Sequence, residues 1–418
     1  MVKIFVILDG IGDKSCKVLD GATPLEAAKT KNLDYFASKS NGGYVYTVNE
    51  QIAPESDEAI LALLGYDPHK YYYGRGPLEA YGAGMKFKDG YLALRTNFST
   101  VKDGKLIDRR VGRSLTTRES RELAKEINEK VKLDVPFEFK ATVGHRGVLI
   151  FKGDFSDNIS NVDPAYKKVG RFGVAMAGNL DRLQECKPLD PDKKTKLSAN
   201  LVNEFVKKSY EVLNKDLINE KRNKKYLLAA NIIVPRDAGI ILPELPKMKG
   251  WGAVVSMPLE LGITKLAGMG VLKFDYPEMK STNVYDHLFK GLKKTIDESI
   301  KAIKERKYDK YFIHFKEIDI PGHDNKPLEK KKMIEIIDKR FFKFLRKKVD
   351  DLELVVTGDH SSPCELNAHS ADPVPLIHYN PKIQKNDDVQ RFTEHECIEN
   401  GSYGKLMGKN ILKTFGFI

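Results

Sequence analysis

A chain of 418 residues is long enough for about two domains. Its composition is that of an ordinary globular protein, 41% hydrophobic, and no apolar run approaches the ~18 residues needed to cross a bilayer. The net charge is +12. The lysines are spread over stretches such as 290–310 and 326–348 that also carry Glu and Asp, without zinc-finger spacing or aromatic–basic interleaving, so the charge reads as a solvated surface suited to a small anionic substrate rather than to nucleic acid.

The opening run Val2 to Leu8 is apolar but short and lacks a small-residue cleavage site, so it reads as a first strand over 2–9, ending in Asp9 and a glycine turn, rather than as a signal peptide. Thr23 and Pro24 have the types expected at the cap and first position of a helix. A strand over 44–48 and a loop precede a helix that begins near Ser56 and is ended by Gly65. A glycine-rich stretch, Tyr73 to Gly84, leads to a boundary near residue 88.

Residues 89–275 have a different texture. Strand-like pieces at Leu92–Phe98, Phe137–Val143 and Gly147–Phe151 alternate with helices over Arg118–Lys130 and Leu197–Asn214, which suggests a separate α/β domain. From about 280 the pattern is a helix over Asn283–Lys304, a strand over 311–315, a helix over 327–348 and a strand over 352–357. Strands alternating with helices imply a mostly parallel sheet covered by helices on both faces, formed by the two terminal segments and interrupted by the middle domain. Four cysteines, Cys16, Cys186, Cys364 and Cys397, lie far apart without a CxxC, which fits a reduced, cytoplasmic setting.

Six residues of metal-ligand type follow predicted strands: Asp9, Asp319 and His323, Asp359 and His360, and His369 in the next loop. Ligands of open parallel sheets bind beyond the carboxyl ends of the strands, so these side chains could converge on one edge. One Asp at a strand end is ordinarily a turn or cap residue, and one His ordinarily a hydrogen-bonded surface group. Six together, with the right types and placement, are enough for two metals, a site that holds both the attacking and the leaving oxygen of a phosphoryl transfer. Ser56 admits two readings, a plain N-cap, which spacing alone favours, or a nucleophile.

Several motifs then match one family. Asp9-Gly10-Ile11-Gly12-Asp13, Thr23 to Ala28, Ser56-Asp57, Leu64 to Pro68, Tyr73 to Ala80, His323 and Thr357 to Cys364 resemble the archaeal type of cofactor-independent phosphoglycerate mutase, of the alkaline phosphatase superfamily. Asn97-Phe98, Asp163-Pro164, Asn231 to Gly239 and Gly262 to Met269 extend the match through the middle of the chain. The resemblance implies an alkaline-phosphatase-like core of residues 1–88 and 276–418, with residues 89–275 as an inserted substrate-binding domain. It implies a phosphorylated Ser56, one divalent ion (Mn, Co, Zn or Mg) on Asp9, Ser56, Asp359 and His360, and a second on Asp319, His323 and His369. The implied reaction interconverts 3-phosphoglycerate and 2-phosphoglycerate with no 2,3-bisphosphoglycerate required. A phosphohydrolase or phosphopentose mutase on the same core is the alternative.

Such a substrate calls for cationic partners. Arg236, Lys265, Arg75, His145, Arg146 and Lys316 are candidates, with Asn231 beside them in the family pattern. Alternation places His314 on the same strand face as Lys316. Two positions depart from the pattern: Glu55, where a small residue precedes the Ser-Asp pair, and Asp237, where the family commonly has Gly. The partner expected is a small molecule, with neither nucleic acid nor membrane, and no residue pattern selects between a monomer and a homo-oligomer.

Overall fold

The structure, a computed structural model, describes residues 1–176 and 181–418. It divides into two compact units, Met1–Tyr71 with Leu245–Tyr276 and Leu288–Ile418, and Tyr72–Glu244 with Pro277–His287. Among the described residues no helix is long and apolar enough to cross a membrane.

The first unit is built on an eight-stranded sheet. Val2–Leu8 lies between Lys310–Phe315 and Leu352–Thr357 and runs parallel to both. Trp251–Val254 and Gly270–Val271 continue the parallel set beyond Lys310–Phe315. On the other side Val374–Tyr379 is antiparallel to its neighbours, and Asn41–Tyr46 and Lys405–Met407 finish the edge. Successive residues of the first strand, Ile4 to Ile7, are fully buried, as a strand covered on both faces requires. The helix Val284–Glu305 turns Leu292, Ile296, Ser299 and Ile303 inward at helical spacing. This is the α/β class read from the sequence, a large and mostly parallel sheet flanked by helices.

Local signals explain several element ends. Thr23 accepts the Glu26 N–H and Glu26 accepts the Thr23 N–H, a reciprocal cap with Pro24 at the first helical position. The expected helix over 327–348 is broken into Pro327–Ile337, a π-helical stretch Asp338–Phe342, Lys343–Leu345 and a 3-10 segment Arg346–Asp351. The π stretch holds Asp338 where its carboxylate accepts the backbone N–H groups of Asn32 and Leu33, at the start of the helix Lys31–Ala37.

The second unit has a five-stranded antiparallel sheet. Leu92–Lys102 pairs with Lys105–Asp108, Arg146–Phe151 and Ile232–Gly239, and Arg146–Phe151 pairs with Phe137–Ala141. The helices Thr117–Lys130 and Lys193–Leu213 bury Leu123, Ile127, Val202 and Phe205 against Phe98, Phe139, Leu149 and Ile233 of this sheet. Ile232–Gly239 was not expected as a strand, because Pro235, Asp237 and Gly239 all have low strand propensity. The segment 245–275, read as part of the insert, groups with the first unit because Trp251–Val254 pairs with Lys310–Phe315.

Glu394 gives the first unit a pH dependence. It is buried in the first turn of the helix Glu394–Glu399, accepting from Asp13 N and Thr23 Oγ1, and burial pushes its carboxyl up to about 7 from 4.5. A carboxyl raised on folding contributes stability that is full below its unfolded value and is lost as the pH rises through its folded value. Stability is therefore expected to fall between about pH 4.5 and 7, and Glu394→Gln is expected to flatten that slope. Urea midpoints measured across the range check this, and an unchanged slope in the variant contradicts it.

Candidate active site

The sheet of the first unit carries the six predicted ligands to one edge. Asp9 follows Val2–Leu8, Asp319 and His323 form the short helix Asp319–His323 after Lys310–Phe315, and Asp359 and His360 follow Leu352–Thr357. Parallel neighbours end side by side, so residues more than 300 positions apart become adjacent. All three carboxylates are buried. The Asp359 carboxylate accepts the backbone N–H groups of Gly10 (2.9 Å) and His360 (3.0 Å), locking the two loops together. Gly10 has φ +60°, and a Cβ there would come within 2.9 Å of Asp319 Oδ1.

Two groupings emerge from the distances. His360 Nε2 lies 3.3 Å from Asp359 Oδ2, 3.7 Å from Asp9 Oδ1 and 3.3 Å from Ser56 Oγ. Asp319 stands 3.4 Å from His323 Nε2 and 3.5 Å from His369 Nε2. The Nδ1 atoms of His369 and His323 face the carbonyl oxygens of Pro54 (2.8 Å) and Asn367 (3.3 Å). Carbonyls accept only, so each ring carries a proton on Nδ1 and turns Nε2 toward Asp319. The sets overlap in space: the His360 and His369 rings stack at 3.6 Å, and Asp319, His360 and His369 also cluster at metal-ligand distance, as do Asp9, His314 and Asp359.

Electrostatics at this edge is strongly perturbed. Burial, then the neighbouring His369, pushes His360 down to about 3. Burial works against ionised Asp319, yet His323, His369 and His360 hold it well below the usual carboxylate range. Asp9 Oδ1 and Asp359 Oδ2 are buried with no hydrogen-bond partner, a costly state for an acid and the one that cation ligands would show.

Ser56 is the first residue of the helix Ser56–Leu63, and Glu55, not Ser56, occupies the cap position. The N–H of Glu55 donates to Glu58. Relieved of capping, Ser56 Oγ instead lies 2.7 Å from Lys316 Nζ. Lys316 also reaches Asp9 Oδ2 at 2.6 Å. Its burial opposes the charged form, but Asp9 and then Glu260 raise it, so it stays an ammonium. His314 Nε2 is 2.7 Å from Asp9 Oδ2, and Glu260 stands behind both, 3.6 Å from His314 Nδ1 and 3.9 Å from Lys316 Nζ. Glu260 was missed in the sequence, where Leu259-Glu260-Leu261 looks like one polar step in an apolar run. Lys265 is half-buried in the last turn of the helix Pro258–Leu266 that also carries Glu260. The departure Glu55 places Oε1 3.3 Å from His369 Nδ1.

The second unit holds a separate cationic cluster. Arg75 and Arg95 share one oxygen of the buried Glu79, each at 2.6 Å. Burial, then Arg95 and Arg113, lowers Arg146 to about 9. Burial, then Arg146, Arg113, Arg110 and Arg95, holds His145 well below its ordinary value. These guanidiniums and His145 gather near Glu79, a grouping of the kind that can accept an anion. Arg95, Arg110 and Arg113 were missed. Their signal was an Arg inside the apolar strand Leu92–Lys102, and three arginines within Asp108 to Arg113. Val111, Gly112 and Arg113 in that segment all have left-handed backbone, at φ +54°, +56° and +52°, a strained turn of the kind kept at ligand sites.

Strand pairing sets Arg236 opposite Arg95. Arg236 lies over the Tyr166 ring at 3.7 Å and pairs with Asp237, whose φ is +54°, the conformation that the family's usual Gly would adopt without strain. Arg109 forks onto Asp163 with two contacts of 2.7 Å. Asn231 does not join this cluster. Its amide bridges the N–H and C=O of Val101, which makes it a strand-pairing residue.

Comparisons with known proteins place the chain among relatives of one kind. A family described as 2,3-bisphosphoglycerate-independent phosphoglycerate mutase matches residues 37–219. The chain is 38% identical to the protein of that name from Aeropyrum pernix, over 97% of this chain and 96% of that one. It is also 38% identical to the one from Pyrococcus furiosus, over 98% and 95%. Among solved structures it resembles the cofactor-independent phosphoglycerate mutase of Thermoplasma acidophilum, with a TM-score of 0.57 at 28% identity, covering 100% of this chain and 99% of that one. A Pyrococcus horikoshii protein superposes with a TM-score of 0.74 at 28% identity, over 99% and 96%.

The shared acid in the second unit yields a stability test. Glu79→Gln leaves Arg75 and Arg95 buried without their counter-charge and is expected to destabilise the protein by about 3 kcal/mol or more. Denaturant unfolding measures it, and a loss below about 1 kcal/mol would show that the guanidiniums are solvated.

Proposed function

The chain belongs to the family of 2,3-bisphosphoglycerate-independent phosphoglycerate mutases, and from that premise we propose that Ser56 is its transient phosphoryl acceptor. The enzyme is an isomerase that interconverts 3-phosphoglycerate and 2-phosphoglycerate. The observation that carries the proposal is the placement of Ser56 Oγ, at a helix N-terminus, 2.7 Å from Lys316 Nζ and 3.3 Å from His360 Nε2. The Lys316 ammonium donates to Ser56 Oγ and favours its alkoxide form, and backbone N–H groups of the helix start favour the phosphate that would follow.

In the first half-reaction a bond forms between Ser56 Oγ and phosphorus as the bond to substrate O3 breaks. The serine proton leaves and a proton is gained by O3. In the second half the bond between Ser56 Oγ and phosphorus breaks as one forms between glycerate O2 and phosphorus, O2 gives up its proton and Ser56 Oγ regains one, so the net change is isomerisation alone.

Asp9, Ser56, Asp359 and His360 would hold one divalent ion, and Asp319, His323 and His369 a second. The unpartnered Asp9 Oδ1 and Asp359 Oδ2 support that fit. Mixed carboxylate and imidazole ligands suit Mn, Co, Zn or Mg. When bound, such ions would neutralise charge on the transferring group and ease deprotonation of the serine.

The arginine cluster of the second unit, Arg75, Arg95, Arg110, Arg113 and Arg146 with His145, is proposed to bind the carboxylate and phosphate of the substrate. Arg236 is tied to Asp237 and has a supporting role. A mutase must keep glycerate bound between the two transfers and keep water from the phosphoserine, which distinguishes it from a hydrolase. A cytoplasmic setting is proposed, supported by four buried, unpaired cysteines.

Ser56→Ala is expected to lower turnover by on the order of 10³-fold or more while metal uptake persists, in an assay coupled through enolase. Retention of turnover would exclude the covalent route. Chelation is expected to abolish activity and Mn, Co, Zn or Mg to restore it, with no added 2,3-bisphosphoglycerate. Release of inorganic phosphate in place of isomer would instead mark a hydrolase.

A further inference from the structure

Ser362 has no part in the assignments above, yet its hydroxyl touches a member of each proposed ligand set. It is fully buried, donates to Asp319 Oδ1 at 2.7 Å and lies 3.1 Å from His360 Nδ1. A hydroxyl has one proton. Because a carboxylate accepts only, that proton goes to Asp319, and the contact with His360 requires a hydrogen on Nδ1. The Nε2 of His360 then presents its lone pair toward Ser56, Asp9 and Asp359.

The serine itself is tightly fixed. Its N–H donates to Gly12 O at 2.9 Å, and its carbonyl accepts from Lys330 Nζ at 3.0 Å. Lys330 is fully buried and also donates to Asp13 Oδ2 (2.7 Å) and Gly12 O (3.2 Å), so one ammonium ties the loop after Asp9 to the loop after Asp359. A Cβ on Gly10 would come within 2.8 Å of Ser362 Oγ, and one on Gly322 within 2.5 Å of Ser362 O. The Nδ1 atoms of His323 and His369, by contrast, face backbone carbonyls.

We propose that Ser362 is a positioning residue that joins the two ligand sets, fixing the tautomer of His360 and the orientation of Asp319 at once, so that filling one metal position prepares the other. Outer partners of metal ligands orient them in this way, and their loss typically weakens metal affinity 10- to 100-fold. The proposal rests on the two-metal reading above and predicts coupled uptake rather than two independent events.

The test is calorimetric titration of the metal-stripped full chain with manganese(II) chloride. The wild type is expected to take up two ions cooperatively. Ser362→Ala is expected to weaken both steps by about tenfold or more and remove the cooperativity, while the melting temperature of the metal-stripped protein moves little. If the wild type does not bind two ions, the two-metal reading fails and the joint with it. If the wild type binds two and the variant binds them unchanged, or loses affinity at one position only, the joint alone is overturned. Should the variant unfold, nitrogen-15 spectra of histidine-labelled, metal-stripped wild type decide, with the His360 signal assigned by its absence in His360→Gln. A proton on Nδ1 upholds the proposal, and a proton on Nε2 overturns it.

Discussion

The buried carboxylates of Asp9, Asp319 and Asp359 set the terms for the rest of the first unit. Two like charges 4 Å apart repel by about 4 kcal/mol at an effective dielectric constant near 20, which is a large part of the ~5–15 kcal/mol by which a protein is stable. The surroundings are organised to offset this. Backbone N–H groups of Gly10 and His360 point at Asp359, Lys316 and His314 lean on Asp9, and Ser362 with His323 and His369 encloses Asp319. The parallel sheet makes the arrangement possible, because only strands running in one direction end together with their loops on one edge.

Much of this was legible in the sequence because strand ends are local features. Val2–Leu8, Lys310–Phe315 and Leu352–Thr357 announce themselves by apolar runs, and the Asp and His residues follow directly. What escaped was set by long-range packing. Glu260 lies on a helix whose sequence looks like ordinary core, and its role exists only because Trp251–Val254 joins the sheet beside Lys310–Phe315. Ser56 looked like a cap because Ser-Asp-Glu has the right spacing, and only the backbone places Glu55 at the cap instead. Asn231 matched a family pattern, yet its amide serves Val101. A motif match gives identity of residues and not the job each one does.

The second unit solves the opposite electrostatic problem. There Glu79 holds two guanidiniums while Arg146 and His145 are pushed toward their neutral forms. An anion bound there, as proposed, would offset the cost of gathering these cations and so stabilise the folded protein. Asp237 modifies this balance by keeping Arg236 engaged within the protein.

The order of the strands in the central sheet also bears on how the chain acquires its shape during synthesis. Val2–Leu8 is made well before its partners, Lys310–Phe315 and Leu352–Thr357, which come some 300 residues later. At ~5–20 residues per second a ribosome needs roughly 15–60 s to supply them. For that interval an apolar strand with two open edges has no native neighbour, whereas nearly all of the second unit, Tyr72–Glu244, has already emerged as one continuous stretch. The nascent chain is thus expected to fold from its middle outward, with its N-terminal strand the segment most exposed to aggregation and to chaperone capture.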